Sequence, residues 1–141
     1  MKKIIISTCI FLGLSATAAA DFDGKKPLLC STVTVNECVP GGSCETVSNK
    51  DVGAPDFFRV DVRKKTMTGT ADGAERPSNK IESSGVLGNS LFLQGKASGL
   101  KHLPEDSLAW SVSVNQDTGD MVLTASGDEV AFVIFGSCIA L

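Results

Sequence analysis

Cysteines are the residues best spaced for chemistry in this chain: Cys9, Cys30, Cys38, Cys44 and Cys138. No Cys-x-x-Cys occurs, and the last four are separated by seven, five and 93 residues, which matches neither a zinc pattern nor a dithiol redox motif. Structural disulfides are the chemistry that remains, provided the chain reaches an oxidising compartment. The single histidine, His102, sits in a polar stretch beside Lys101, Glu105 and Asp106. A lone imidazole can serve as a base or a ligand, but no nucleophile or orienting partner can be named for it, so a solvated loop residue is expected. Asp117-Thr118-Gly119 has the letters of an acid-protease triplet, yet its polar flanks describe a hairpin turn. Asn115, Asp117 and Asp120 offer oxygens to a calcium ion without the order or the distal glutamate of an EF-hand. No Gly-x-Ser-x-Gly, His-Glu-x-x-His or phosphate-loop pattern is present. Catalytic residues, metal and cofactor are therefore expected to be none, and the chain is not expected to be an enzyme.

The densest basic group, Arg59, Arg63, Lys64 and Lys65, lies next to Phe57 and Phe58. It is too small for nucleic acid in a chain with 13 basic and 16 acidic residues. Arginine beside an exposed aromatic ring is instead a contact composition, so Phe57, Arg59 and Arg63 are the candidate partner surface.

Compartment is read from the first segment. Met1-Lys2-Lys3 is positive, residues 4–14 are mostly apolar, and Ala18-Ala19-Ala20 follows. That order is a secretory signal peptide over residues 1–20, with cleavage before Asp21. The apolar run falls short of the roughly 18 residues of a membrane anchor. Removal of residues 1–20 takes away Cys9, Lys2 and Lys3. The remaining 141 − 20 = 121 residues, 21–141, form one domain with four cysteines and a net charge of 11 − 16 = −5. Export to the periplasm or the medium, no stable membrane insertion after cleavage, and a monomer are expected.

Four cysteines allow three pairings. Cys38 and Cys44 bracket the turn-rich Val39-Pro40-Gly41-Gly42-Ser43, which favours joining them and leaves Cys30 to reach Cys138. By loop-closure entropy the long bridge is worth about 4.8 kcal/mol and the short one about 2.4 kcal/mol.

The elements that must carry these residues are strands. Residues 29–38 alternate, with Val33 and Val35 assigned to one side and Thr32 and Thr34 to the other. Residues 44–48 return as a short strand. Phe58, Val60 and Val62 alternate with Arg59, Asp61 and Arg63, so the two rings of Phe57 and Phe58 point to opposite faces. Strands over 66–71, 80–87 and 91–95 follow, with loops at 48–56, 72–79 and 97–106. Leu108, Trp110, Val112 and Val114 face one way, Asp117-Thr118-Gly119 turns the chain, and Met121, Leu123 and Ala125 return. Residues 130–134 are apolar on both faces, which predicts a strand buried twice or covered by something.

No helical apolar stripe appears beyond residue 20. Eight strands plus a short one, in hairpin order, must close or stack to hide their edges. The expected fold is all-β, an antiparallel meander closed into a small up-and-down barrel of about eight strands, with a β-sandwich as the alternative. A transmembrane barrel is disfavoured, because one Trp and no Tyr cannot build aromatic girdles. Trp110, Val112, Val114, Met121 and Leu123 either fill such a barrel or line a pocket for a small apolar ligand.

The stretch from Trp110 to Cys138 resembles the C-terminal half of small exported bacterial proteins of unassigned function, and Cys38-Val39-Pro40-Gly41-Gly42-Ser43-Cys44 is similar too. That resemblance implies export and a β fold and carries no catalytic residues. In size and meander order the chain also resembles periplasmic barrel-shaped lysozyme inhibitors, without their tyrosine-containing motifs. The expected function is that of a non-enzymatic exported binding or accessory module. A protein-protein inhibitor or envelope-interaction module, and a barrel for a small apolar ligand, are the alternatives.

Overall fold

The computed structural model describes residues 22–97 and 108–141. The signal peptide expected over residues 1–20, and His102 with nearly all of the 97–106 loop, lie outside the described residues. The elements are β1 (Leu28–Cys38), β2 (Cys44–Val47), α1 (Asn49–Val52), β3 (Phe57–Asp61), β4 (Thr66–Ala71), β5 (Ala74–Glu75), β6 (Asn79–Leu87), β7 (Ser90–Ala97), β8 (Leu108–Asn115), β9 (Asp120–Ser126) and β10 (Ala131–Ala140).

Eight of these strands form a closed antiparallel barrel in the order β1-β3-β4-β6-β7-β8-β9-β10, with β10 paired back onto β1. The short β2 and β5 hang on β1 and β4 as outlying hairpin arms. The barrel is thus the expected up-and-down meander. Its closure pairs the first and last strands, which an open meander of this length would leave as edges.

Alternation is what closes it. Leu28, Cys30, Phe58, Val60, Met67, Ile81, Leu91, Leu93, Trp110, Val112, Val114, Met121, Leu123, Ile134 and Cys138 point inward and form one apolar cluster. Eight strands enclose an interior just wide enough for such side chains to fill. A Cβ on Gly95 would fall 2.3 Å from Cζ2 of Trp110, so the indole lies across β7 in the space that glycine leaves.

One strand departs from the simple period. Val33 is exposed and Val35 buried, although strict alternation puts both on one side. The cause is a β-bulge between Thr32 and Thr34 where β1 pairs with β10. Opposite it is Gly136, where a Cβ would sit 2.0 Å from the Ser31 carbonyl oxygen. The Thr32 amide and hydroxyl leave the ladder to donate to the carbonyls of Asp56 and Pro55, at 2.9 and 2.8 Å. An inserted residue of this kind flips the face of those before it.

Both ends of the barrel receive chain segments. At one end residues 22–27 cross the mouth: the Phe22 ring lies against Gly119, and Gly24 lies against Val62 and Leu91. The Leu141 amide then donates to Pro27, at 2.9 Å. At the other end α1 is capped by Ser48, whose hydroxyl accepts from the Asp51 amide at 3.2 Å. The loop after α1 is held where Pro55 packs on Gly69 and Arg76 donates to the Gly53 carbonyl. No helix among the described residues is long and apolar enough to cross a membrane.

Candidate functional site

The cysteines pair as Cys30–Cys138 and Cys38–Cys44, with S–S distances of 2.04 and 1.96 Å. Cys30 and Cys138 are directly opposite residues on β1 and β10, and both are buried. Their bridge therefore fastens the seam that closes the barrel. Cys38 and Cys44 are likewise opposite each other at the far end of β1, on the β2 arm. All four thiols of residues 21–141 are consumed.

Trp110, Val112, Val114, Met121 and Leu123 converge inside the barrel, each no more than 4% exposed. They touch one another across β8 and β9, where Val112 is opposite Leu123 and Val114 opposite Met121. The indole N–H of Trp110 finds no acceptor among the described residues. Two open recesses among the described residues lie elsewhere. One, of about 290 Å³, is lined by Cys38, Val39, Pro40 and residues 126–131, between the β1–β2 and β9–β10 turns. The other, of about 470 Å³, is bounded by Pro27, Asp61, Arg63 and Lys64. Neither reaches the Trp110 cluster.

The Asp117-Thr118-Gly119 triplet is a turn. The Asn115 carboxamide oxygen accepts from the amides of Asp117 and Thr118 at 2.9 and 3.1 Å. Gly119 holds a φ of +76° there, a backbone conformation that L side chains disfavour. The Asp117 carboxylate accepts from the Asn89 side chain at 2.7 Å, and Asp120 accepts from the Thr118 hydroxyl at 2.8 Å. One oxygen each of Asn115, Asp117 and Asp120 thus accepts from a protein donor. Among the described residues no three His, Cys, Asp or Glu side chains converge as a metal site.

Charge is distributed in surface pairs. Asp23 accepts a hydrogen bond from Lys25, which holds its carboxyl below the ordinary range and raises the lysine. Glu82 is likewise held low by its hydrogen bond from Lys80, with Lys96 and Lys65 contributing at longer range. The Lys64 ammonium lies 3.7 Å from the Asp61 carboxylate as an ion pair, and that carboxylate accepts from the Lys64 amide at 3.0 Å.

On the outer wall, β3 places Phe57 and Arg59 outward and Phe58 inward, as the doublet requires. Arg63 is exposed beyond the strand end, in the β3–β4 turn. Phe57 keeps 47% of its surface exposed and does not stand alone. Leu29 lies between Arg59 and Ile139 in the cross-strand register. Phe135 is opposite Val122 and Thr34, beside the bulged Val33. Outward side chains therefore fall into two apolar groups. One is Val122, Phe135 and Val33 on β9, β10 and β1; the other is Ile139 and Leu29 on β10 and β1, with Arg59 beside them on β3. The row between them runs Ser137, Ser31, Phe57.

This outer wall corrects the expectation for the last strand. β10 is apolar on both sides but buried on one: Ile134 and Cys138 are inside, while Phe135 and Ile139 are 45% and 60% exposed. Nothing in the described chain covers them. Sequence reasoning named Phe57, Arg59 and Arg63 but missed Leu29, Val33, Val122, Phe135 and Ile139. Part of the signal was present in the doubly apolar run at 130–134, which stops one residue before Phe135; only the register sets the outer side of β10 beside β1 and β3.

Comparison of the chain with protein-family models, with curated proteins and with solved structures finds no match to any of them.

Proposed function

We propose that this chain is an exported, disulfide-bonded binding module, without catalytic activity of its own, that meets a protein partner through the outside of its barrel. The reading is supported by apolar side chains exposed on the outside of the barrel, set against inward residues that are buried together. A barrel that serves a small ligand keeps space among its inward residues, and the burial of Trp110, Val112, Val114, Met121 and Leu123 in one cluster favours filling. Exposed aromatic and aliphatic side chains bordered by an arginine are the composition of an interface core with a polar rim. Phe57 and Arg59 lie on that outer wall, and Arg63 extends its charge at the barrel end. Export is supported by the signal-like residues 1–20 and by four cysteines engaged in two bridges.

The test is site-specific photocrosslinking in the producing cell. The full chain is made with a photoreactive phenylalanine analogue in place of Phe57, of Phe135, or of the exposed Glu75 on the β5 arm. Irradiation is expected to give the same discrete heavier adduct from positions 57 and 135, in the exported fraction, and none from position 75. The adduct should weaken severalfold when Arg59→Glu is added. No adduct from either wall position, or one of equal yield from position 75, would remove the basis for the reading.

A further inference from the structure

The barrel closes unevenly, and the uneven place is β6. This strand pairs with β4 at only two positions, Thr66 with Lys80 and Met67 with Asn79, followed by one bond from the Ile81 amide to the Lys65 carbonyl at 2.9 Å. A bulge between Ile81 and Ser83 then ends the contact, while pairing with β7 continues to Leu87. Residues 83–87 consequently have a strand on one side and none on the other among the described residues. They are exposed on both faces, including Val86 at 58% and Leu87 at 73%. Val86 shares the inward side of Leu91 opposite it, yet no wall stands across from it.

Free edges in native sheets are ordinarily blunted by charge or proline. Residues 83–87 read Ser-Ser-Gly-Val-Leu and have neither. From this we infer that the β6 edge is a dimerisation surface, and that its occupant is the same edge of a second copy of this chain.

Two features select a second copy over an unrelated strand. The first is fit. An antiparallel pair of identical edges about a two-fold axis is self-complementary by symmetry. Centred on Gly85, it places Ser83 opposite Leu87 and Ser84 opposite Val86, and it uses all five unpaired residues of each chain. The hairpin tip Gly88-Asn89 of one copy then ends at the foot of the other copy's gap, where Lys65 precedes β4. The second feature is charge. The β3–β4 turn beside that foot carries Arg63, Lys64 and Lys65. The tip brings Asp117 with it, through the 2.7 Å bond from Asn89. The two-fold therefore sets an acidic tip against a basic turn twice. β6 lies four strands from β10 in either direction around the barrel, so the dimer leaves the Phe57 and Phe135 face free. The inference stands independently of the partner reading.

Sedimentation velocity on the purified, disulfide-bonded protein tests it. The expected result is a monomer–dimer equilibrium that shifts to monomer with dilution and with added salt. Val86→Lys changes an exposed residue and should leave far-ultraviolet circular dichroism unchanged. It removes two cross-strand contacts per dimer and weakens association on the order of tenfold or more. Asp117→Lys should weaken the dimer as well, and adding Arg63→Glu should recover part of the loss. Amide exchange over residues 83–87 should be slower in the concentrated sample than in the dilute one. A monomer at every concentration, or a dimer indifferent to Val86→Lys, would overturn the inference. The crosslinking at positions 57 and 135 reads out separately, so failure of one proposal is distinguishable from failure of the other.

Discussion

Replacing Cys30 and Cys138 together by alanine is expected to lower stability by about 3–5 kcal/mol, seen as a fall in Tm of about 10–20 °C. Their bridge spans 108 residues and lies on the β1–β10 seam. Without it the unfolded chain regains the entropy of a very long loop. Pairing β1 with β10 then becomes the most non-local step in an otherwise sequential meander. The two sulfurs are also buried, so alanine leaves unfilled space. The Cys38→Ala and Cys44→Ala double variant is the control, because its bridge spans only six residues and lies on an exposed arm. It should cost about 2 kcal/mol or less. Urea denaturation of both oxidised variants gives the ordering. A larger loss from the short bridge would mean that the seam is not held where the structure places it.

A comparable loss is expected from Trp110→Ala, about 3–5 kcal/mol. Trp110 is the largest side chain of the interior cluster, and its ring occupies the space left by Gly95 on the neighbouring strand. Truncation to a methyl group opens a void at the centre of β7 and β8 that the two strands cannot collapse into without breaking their ladder. Trp110→Phe should cost far less, about 1.5 kcal/mol at most. The indole N–H has no acceptor to lose among the described residues, so packing is what separates the two variants. Denaturation followed by circular dichroism measures both. Equal losses from Ala and Phe would point to a polar role for the indole and away from filling.

The parts legible in the sequence are those set by short-range pattern. Strands β8 and β9 follow from Leu108, Trp110, Val112 and Val114 alternating, from Asp117-Thr118-Gly119 turning, and from Met121 and Leu123 returning. The closed eight-strand barrel follows from hairpin order together with the preferred long bridge. The 48–56 and 72–79 stretches read as loops, but they hold α1 and β5, each too short for periodicity to register. The bulge at Val33 was hidden for a different reason. It depends on Gly136 approaching Ser31 and on Thr32 bonding to Pro55 and Asp56, contacts between segments far apart in the chain. The outer face was half legible: Phe57 and Arg59 follow from strand alternation, whereas joining them to Leu29, Ile139 and Phe135 needs the register. The bare β6 edge is likewise invisible locally. A serine- and glycine-rich strand reads only as a weak one, and nothing in 83–87 tells that β4 stops short of it.

The central claim, a barrel that is filled inside and binds outside, is most directly tested by the fluorescence of Trp110, the chain's one tryptophan and a resident of the interior. The oxidised protein is titrated with a spin-labelled fatty acid, an apolar quencher that can reach the indole only by entering the barrel. The account predicts a buried-tryptophan emission that does not change saturably as the quencher is added, read in a Phe135→Ser, Ile139→Ser variant that removes binding at the outer wall. Saturable quenching that persists in this variant, with the Trp110 cluster giving way to the ligand, would contradict it.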